Sequence, residues 1–136
     1  MKNILIVDGQ GGGLGKILAE NIISEFPEAC ITAVGLNSIA TSNMIKAGVK
    51  NAATGENPIV VNSRKSDVII GPIGIVIADS LLGEVTPVIA SAIGKSDAVK
   101  ILIPSSKCNN IVAGVNTSNV TELVRDAMSK LHDILQ

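Results

Sequence analysis

Short runs of Ile, Val, Leu and Ala recur along this chain, and most of them stop at a glycine or a polar turn. They fall at residues 3–7, 30–35, 59–62, 67–71 and 99–103. Runs of that length, rich in β-branched residues, suit strands. Between most of them lie stretches whose apolar residues recur at intervals of three and four, the mark of a helix with one buried face. Strands alternating with helices imply right-handed crossovers between parallel neighbours. The expected fold class is therefore α/β: a Rossmann-like, three-layer open sheet, mostly parallel. It should have about five strands plus a short edge strand or hairpin in residues 108–115, around Ile111, Val112 and Ala113.

Local signals sharpen the elements. Leu14, Ile17, Leu18 and Ile22 line one side of a helix over 13–25, which Pro27 stops. Ser38 is the expected cap of a short helix over 39–47, closed by Gly48. Residues 52–58 read as a polar loop and 59–62 as the third strand. Residues 75–82 are apolar enough for a strand or a buried helix, with helix the favoured reading. Thr86 and Pro87 then open a second one, with Thr as the cap and Pro at the first helical position. Over 119–135 a last helix carries Val120, Leu123, Val124, Ala127, Met128, Leu131 and Ile134 on one face, and Asn119 or Thr121 can cap it. Phe26 is the one aromatic residue, so burial rests on aliphatic side chains. Strands covered on both faces accept that composition well. At 136 residues the chain reads as one domain.

The formal net charge is −1, with acids and bases interspersed. Nucleic-acid binders need a basic stripe, and single-strand binders need stacking aromatics, so neither class fits. The N-terminal apolar run ends at Asp8, too short for a signal peptide. The longest charge-free apolar stretch, 68–78, is broken by Gly71, Pro72 and Gly74 and is too short to span a bilayer. Two cysteines, Cys30 and Cys108, make no disulfide framework. A cytoplasmic protein with no membrane segment is the expectation.

The first strand-to-helix turn carries the clearest chemical signal. Gly9, Gly11, Gly12, Gly13 and Gly15, interleaved with Gln10 and Leu14, hold five of the thirteen glycines. Glycine there permits a tight turn, lets a pyrophosphate approach the backbone and lets the helix pack on the strand. Bare amides and the positive end of the helix then favour an anion. The order G-x-G-x-x-G fails because position 14 is Leu, but Gly9, Gly13 and Gly15 fit G-x-x-x-G-x-G. A P-loop is excluded, since Lys16 lacks the required spacing and no Ser or Thr follows it. The bland alternative is a turn whose glycines serve only packing.

That spacing resembles the short-chain dehydrogenase family, as do Asp67-Val68-Ile69-Ile70-Gly71-Pro72-Ile73-Gly74 and Ile101-Leu102-Ile103-Pro104-Ser105-Ser106, which are similar to its fourth and fifth strands. The resemblance implies cofactor geometry only, because that family's chemistry uses a Tyr-x-x-x-Lys pair and this chain has no tyrosine. Along nearly its whole length the chain more closely resembles a family of short bacterial proteins known as a domain of unknown function. The likeness lies in Asp8-Gly9-Gln10-Gly11-Gly12, Ala53-Thr54-Gly55-Glu56-Asn57 and Ile70-Gly71-Pro72-Ile73-Gly74-Ile75. It implies no activity.

In open α/β sheets, ligands lie beyond the carboxyl ends of the strands. The residues expected there are the turn, then Asn37 and Ser38, Asn62, and Gly71, Pro72 and Gly74, with Ser105 and Ser106 beyond the fifth strand. Neutral Asn37 and Ser38 stand where an NAD site usually carries an acid and an NADP site an Arg, so NAD, NADP and a mononucleotide all stay open. Asp79 and Glu84 are the only acids between 68 and 94. Each is either a carboxylate perturbed by apolar surroundings or a plain surface group. The 54–57 loop either closes over a ligand or is ordinary solvated chain. Cys108 follows Lys107, but the one histidine, His132, lies far off on the last helix, so neither a Cys-His nucleophile nor a metal site has support. Cys30 reads as core, and Glu122, Arg125, Asp126, Lys130 and Asp133 as a solvated face. The apolar segment 73–82 and the run near Ile111 point to a homo-oligomer, expected to be a dimer.

Three functions follow: a protein that binds a nucleotide or dinucleotide by its phosphate; a small oxidoreductase or transferase completed at a subunit interface, with Asp79 or Glu56 facing the turn; or an interaction module whose turn is structural.

Overall fold

The computed structural model describes residues 2–105 and 109–136. Five strands, β1 (Asn3–Asp8), β2 (Cys30–Gly35), β3 (Asn51–Thr54), β4 (Val68–Pro72) and β5 (Val99–Ile103), form one parallel sheet in the order β3-β2-β1-β4-β5. Five α-helices accompany them: α1 (Gly13–Glu25), α2 (Ser38–Lys46), α3 (Glu56–Ser63), α4 (Pro87–Lys95) and α5 (Val120–Leu135). The fold is the Rossmann-like α/β class expected from the alternation of the sequence.

β1 shows why both faces must be covered. Ile4 and Ile6 point into one apolar layer, with Leu18 and Ile22 of α1, Met44 of α2, and Val124, Met128 and Leu131 of α5. Leu5 and Val7 point the other way, to Ile59 of α3 and to Ile89 and Ile93 of α4. These four β1 side chains are at most 1% exposed. Each such burial is worth about 1.5–3 kcal/mol.

Two caps are as expected. Thr86 Oγ1 accepts the Ile89 N–H at 3.1 Å with Pro87 behind it, and Asn119 Oδ1 accepts the Glu122 N–H at 3.1 Å. α2 differs, because Asn37 rather than Ser38 is its cap, accepting the Ala40 N–H at 2.9 Å.

Three expectations are corrected. Residues 59–62 are not a strand but part of α3. Pro58 falls in the first turn, where no intrahelical N–H bond is needed, and Glu56 favours the positive helix end. The third strand is instead Asn51–Thr54, a small-residue edge strand that overlaps the start of the 52–58 segment read as a loop. Residues 75–82 are not a helix. A 3-10 turn, Ile73–Val76, gives way to irregular chain in which Asp79, Leu81 and Leu82 take φ of 66°, 55° and 57°. Nor do residues 109–115 form an edge strand or hairpin, and Cys108 lies outside the described residues. Among the described residues no helix is long and apolar enough to cross a membrane.

Candidate functional site

The chain leaves β1 in two directions, through β2 to β3 on one side and through β4 to β5 on the other. Open sheets bind ligands where the strand order reverses, outside the carboxyl ends. At that end lie the glycine turn, Leu36 to Ser38 after β2, and Gly71, Pro72 and Gly74 at the end of β4. Ser105 follows β5, while Ser106 is outside the described residues. Asn62 is not brought there. It sits on the last turn of α3, with Nδ2 donating to the Pro58 carbonyl and its own carbonyl accepting from Ser66 Oγ. The chain then reaches Asp67, whose N–H bonds the Asn3 carbonyl at the amino end of β1.

The turn is organised from within. Asp8, the last residue of β1, is 5% exposed. Its Oδ1 accepts the Gly9 N–H at 2.8 Å and its Oδ2 the Gly15 N–H at 2.6 Å. The Gly12 N–H donates to the Gly9 carbonyl at 3.0 Å, and the Lys16 N–H to the Gly12 carbonyl at 3.0 Å. The carboxylate therefore bolts the start of α1 to the end of β1.

The five glycines then divide into two sets. Gly9, Gly12 and Gly15 are buried, and a Cβ on any of them would crowd a neighbour, for Gly9 the ends of the Glu84, Leu36 and Leu81 side chains. A Cβ on Gly9 would lie 2.6 Å from Glu84 Oε1, one on Gly12 would lie 2.6 Å from the Ala40 Cα, and one on Gly15 would lie 2.7 Å from the Asp8 Cβ. Gly12 also has φ +72°, which side chains disfavour. Gly11 and Gly13 are exposed, neither has positive φ, and a Cβ on either would meet nothing within 4 Å. Packing explains three glycines and leaves two unexplained. Gly13 and Leu14 are the first two helical residues, and helix geometry offers their amides no intrahelical carbonyl.

Gly71 serves the sheet, since a Cβ there would collide with the Val7 carbonyl oxygen. Pro72 closes β4, and Gly74 lies in the 3-10 turn, where its carbonyl accepts from Ser80 Oγ.

Sequence reasoning missed the role of Glu84. The irregular segment after the 3-10 turn crosses the end of β1, with Leu81 and Leu36 packed at Gly9. Glu84 Oε1 accepts the Gln10 N–H at 2.6 Å, and Glu84 Oε2 accepts from Asn37 Nδ2 at 2.6 Å. Asn37 Nδ2 also donates to the Gln10 carbonyl at 2.9 Å. The only sequence signal was an isolated acid in an apolar stretch. Of the other candidate acids, Asp79 is exposed with a left-handed backbone, and Glu56 Oε2 accepts from Thr86 Oγ1 at 2.6 Å, tying the starts of α3 and α4 together.

Elsewhere, Cys30 opens β2 half-buried rather than in the core. His132 Nε2 lies 2.7 Å from Glu25 Oε1, and its ring centroid is 4.4 Å from that of Phe26, so it joins α5 to the end of α1. Hollows of about 430 Å³ between α3 and α4 and about 560 Å³ between α1 and α5 have no residue of the turn in their walls. Among the described residues no group of three or more His, Cys, Asp or Glu could hold a metal ion.

The chain belongs to the family described as a domain of unknown function, DUF3842, which matches residues 3–136. No curated protein matches it. One similar solved structure is a dodecameric FMN-dependent UbiX-like decarboxylase from Escherichia coli O157:H7. It has 19% identity and a TM-score of 0.46, with 98% of this chain and 76% of that one covered.

Proposed function

We propose that this chain is a single-domain, homo-oligomeric cytoplasmic protein that binds a nucleotide or dinucleotide by its phosphate. The phosphate would rest on the outer side of the glycine turn, against the amides of Gly11, Gly13 and Leu14. One observation carries the reading: Gly11 and Gly13 are glycines that neither packing nor backbone conformation requires, and both face open space beside the start of a helix. A missing side chain there has a physical use if a ligand's phosphate must reach the backbone. Asp8 supports it, because it holds the Gly9 and Gly15 amides on the inner side of the turn and so fixes the turn's shape. NAD, NADP and a mononucleotide are the candidate ligands.

A second reading is favoured by Glu84, whose carboxylate already sits on the Gln10 amide. On that reading the turn is closed by the protein's own anion and serves an interaction module. Thermal shift with NAD, NADP, FAD, ATP and GTP separates the two, since a ligand bound only to the folded state raises the melting temperature. The nucleotide reading expects a shift with at least one of them and its loss in Gly13→Val. Silence across the panel overturns it.

A further inference from the structure

Resting on that nucleotide reading, we propose that Glu84 is the ribose-reading carboxylate of the site. The chain would then select nucleotides with free 2′ and 3′ ribose hydroxyls over those bearing a 2′-phosphate. In sheets of this topology the ribose lies by the glycine turn and the end of the second strand, where an acid following that strand accepts from its hydroxyls. Here β2 ends at Gly35 and is followed by Leu36, Asn37 and Ser38, none of them charged. The structure supplies the charge from a distant segment. Glu84, 47 positions from Asn37, brings its carboxylate to that corner and touches both the turn and the residue that caps α2.

The geometry suits the task. Each carboxylate oxygen accepts one bond within the protein, from the Gln10 N–H and from Asn37 Nδ2, both at 2.6 Å. A carboxylate has about four lone-pair sites, so each oxygen keeps room for one more donor. Two vicinal hydroxyls are a matching pair of donors. The two existing bonds fix the carboxylate plane in advance. Asn37 is itself held, because its Oδ1 accepts the Ala40 N–H and its Nδ2 also reaches the Gln10 carbonyl. Glu84 is half-buried, leaving part of it open to the surface. A 2′-phosphate would bring negative charge onto this group, and residues 36–45 contain no Lys or Arg to receive it.

Titration calorimetry of the full chain with NAD and NADP tests the proposal, with circular dichroism confirming that variants are folded. Wild type should bind NAD at least about tenfold more tightly than NADP. Glu84→Gln should bring that ratio close to one, because the neutral amide neither repels a 2′-phosphate nor offers two acceptor oxygens to the hydroxyl pair. A ratio within one variant is insensitive to a general loss of stability, and Glu84→Ala gives a second reading of it. Equal affinities in wild type, or a ratio unchanged in both variants, overturn the assignment while leaving the nucleotide reading intact. So does tighter binding of NAD, NADP and inorganic phosphate alike in Glu84→Ala, which would make Glu84 a competing anion. If neither nucleotide binds wild type or variants, this assignment falls, and the nucleotide reading falls with it only if FAD, ATP and GTP are silent as well.

Discussion

Adjacent glycines in the turn should respond to the same substitution in opposite ways. In Gly12→Ala, a left-handed backbone with a side chain costs about 1–2 kcal/mol. The added Cβ would also lie 2.6 Å from the Ala40 Cα, a backbone atom of α2 that cannot swing aside. Overpacking of that kind costs about 1–3 kcal/mol. The expected loss is roughly 3 kcal/mol. In Gly13→Ala the Cβ meets nothing within 4 Å and the residue is helical, so the change is neutral or gains up to about 1 kcal/mol of helix propensity. Urea denaturation measures both. With no Trp or Tyr in the chain, far-UV circular dichroism is the probe. At a urea slope of about 1.5 kcal/mol per molar, Gly12→Ala should lower the midpoint by about 2 M while Gly13→Ala leaves it in place or raises it. Midpoints that move together would refute the division of the turn into a packed set and an open set.

Two further outcomes follow from the same region. Asp8→Ala removes the acceptor of two amide bonds, each worth about 1.5–3 kcal/mol when the acceptor is charged, so a loss of roughly 3 kcal/mol is expected by urea titration. A loss below about 1 kcal/mol would mean that the carboxylate does not tie β1 to α1. Leu82 is 97% exposed and has φ 57°, so Leu82→Gly gives up little packing and relieves a left-handed side chain. It should gain about 1 kcal/mol in the same titration, and a destabilised variant would show that the segment needs that leucine.

Alternation made the sheet and four of its five strands legible, because parallel strands covered on both faces read as unbroken apolar runs. β3 escaped notice for the complementary reason. It lies at an edge, is built from Asn51, Ala52, Ala53 and Thr54, and pairs on one side with β2 alone. With no such run there, the β-branched Ile59, Val60 and Val61 took its place in the reading, although in α3 only Ile59 of the three is buried. The glycine turn was visible as a motif, but which of its glycines face outward depends on how α2 and the 77–86 segment pack over it. Glu84 could not be found from spacing, because its bond to Gln10 spans 74 positions and forms only when the end of β4 folds back across β1.

The strand order has a consequence for synthesis of the chain. β1 emerges first, yet it occupies the middle of the sheet, and its second neighbour begins only at Val68. Until the ribosome has passed that point, the first strand keeps one side open, with unpaired amides and carbonyls along a row of aliphatic residues. Fragments ending before residue 68 would carry the most adhesive edge of the molecule unguarded, and should aggregate or call on chaperones where residues 1–136 together do not.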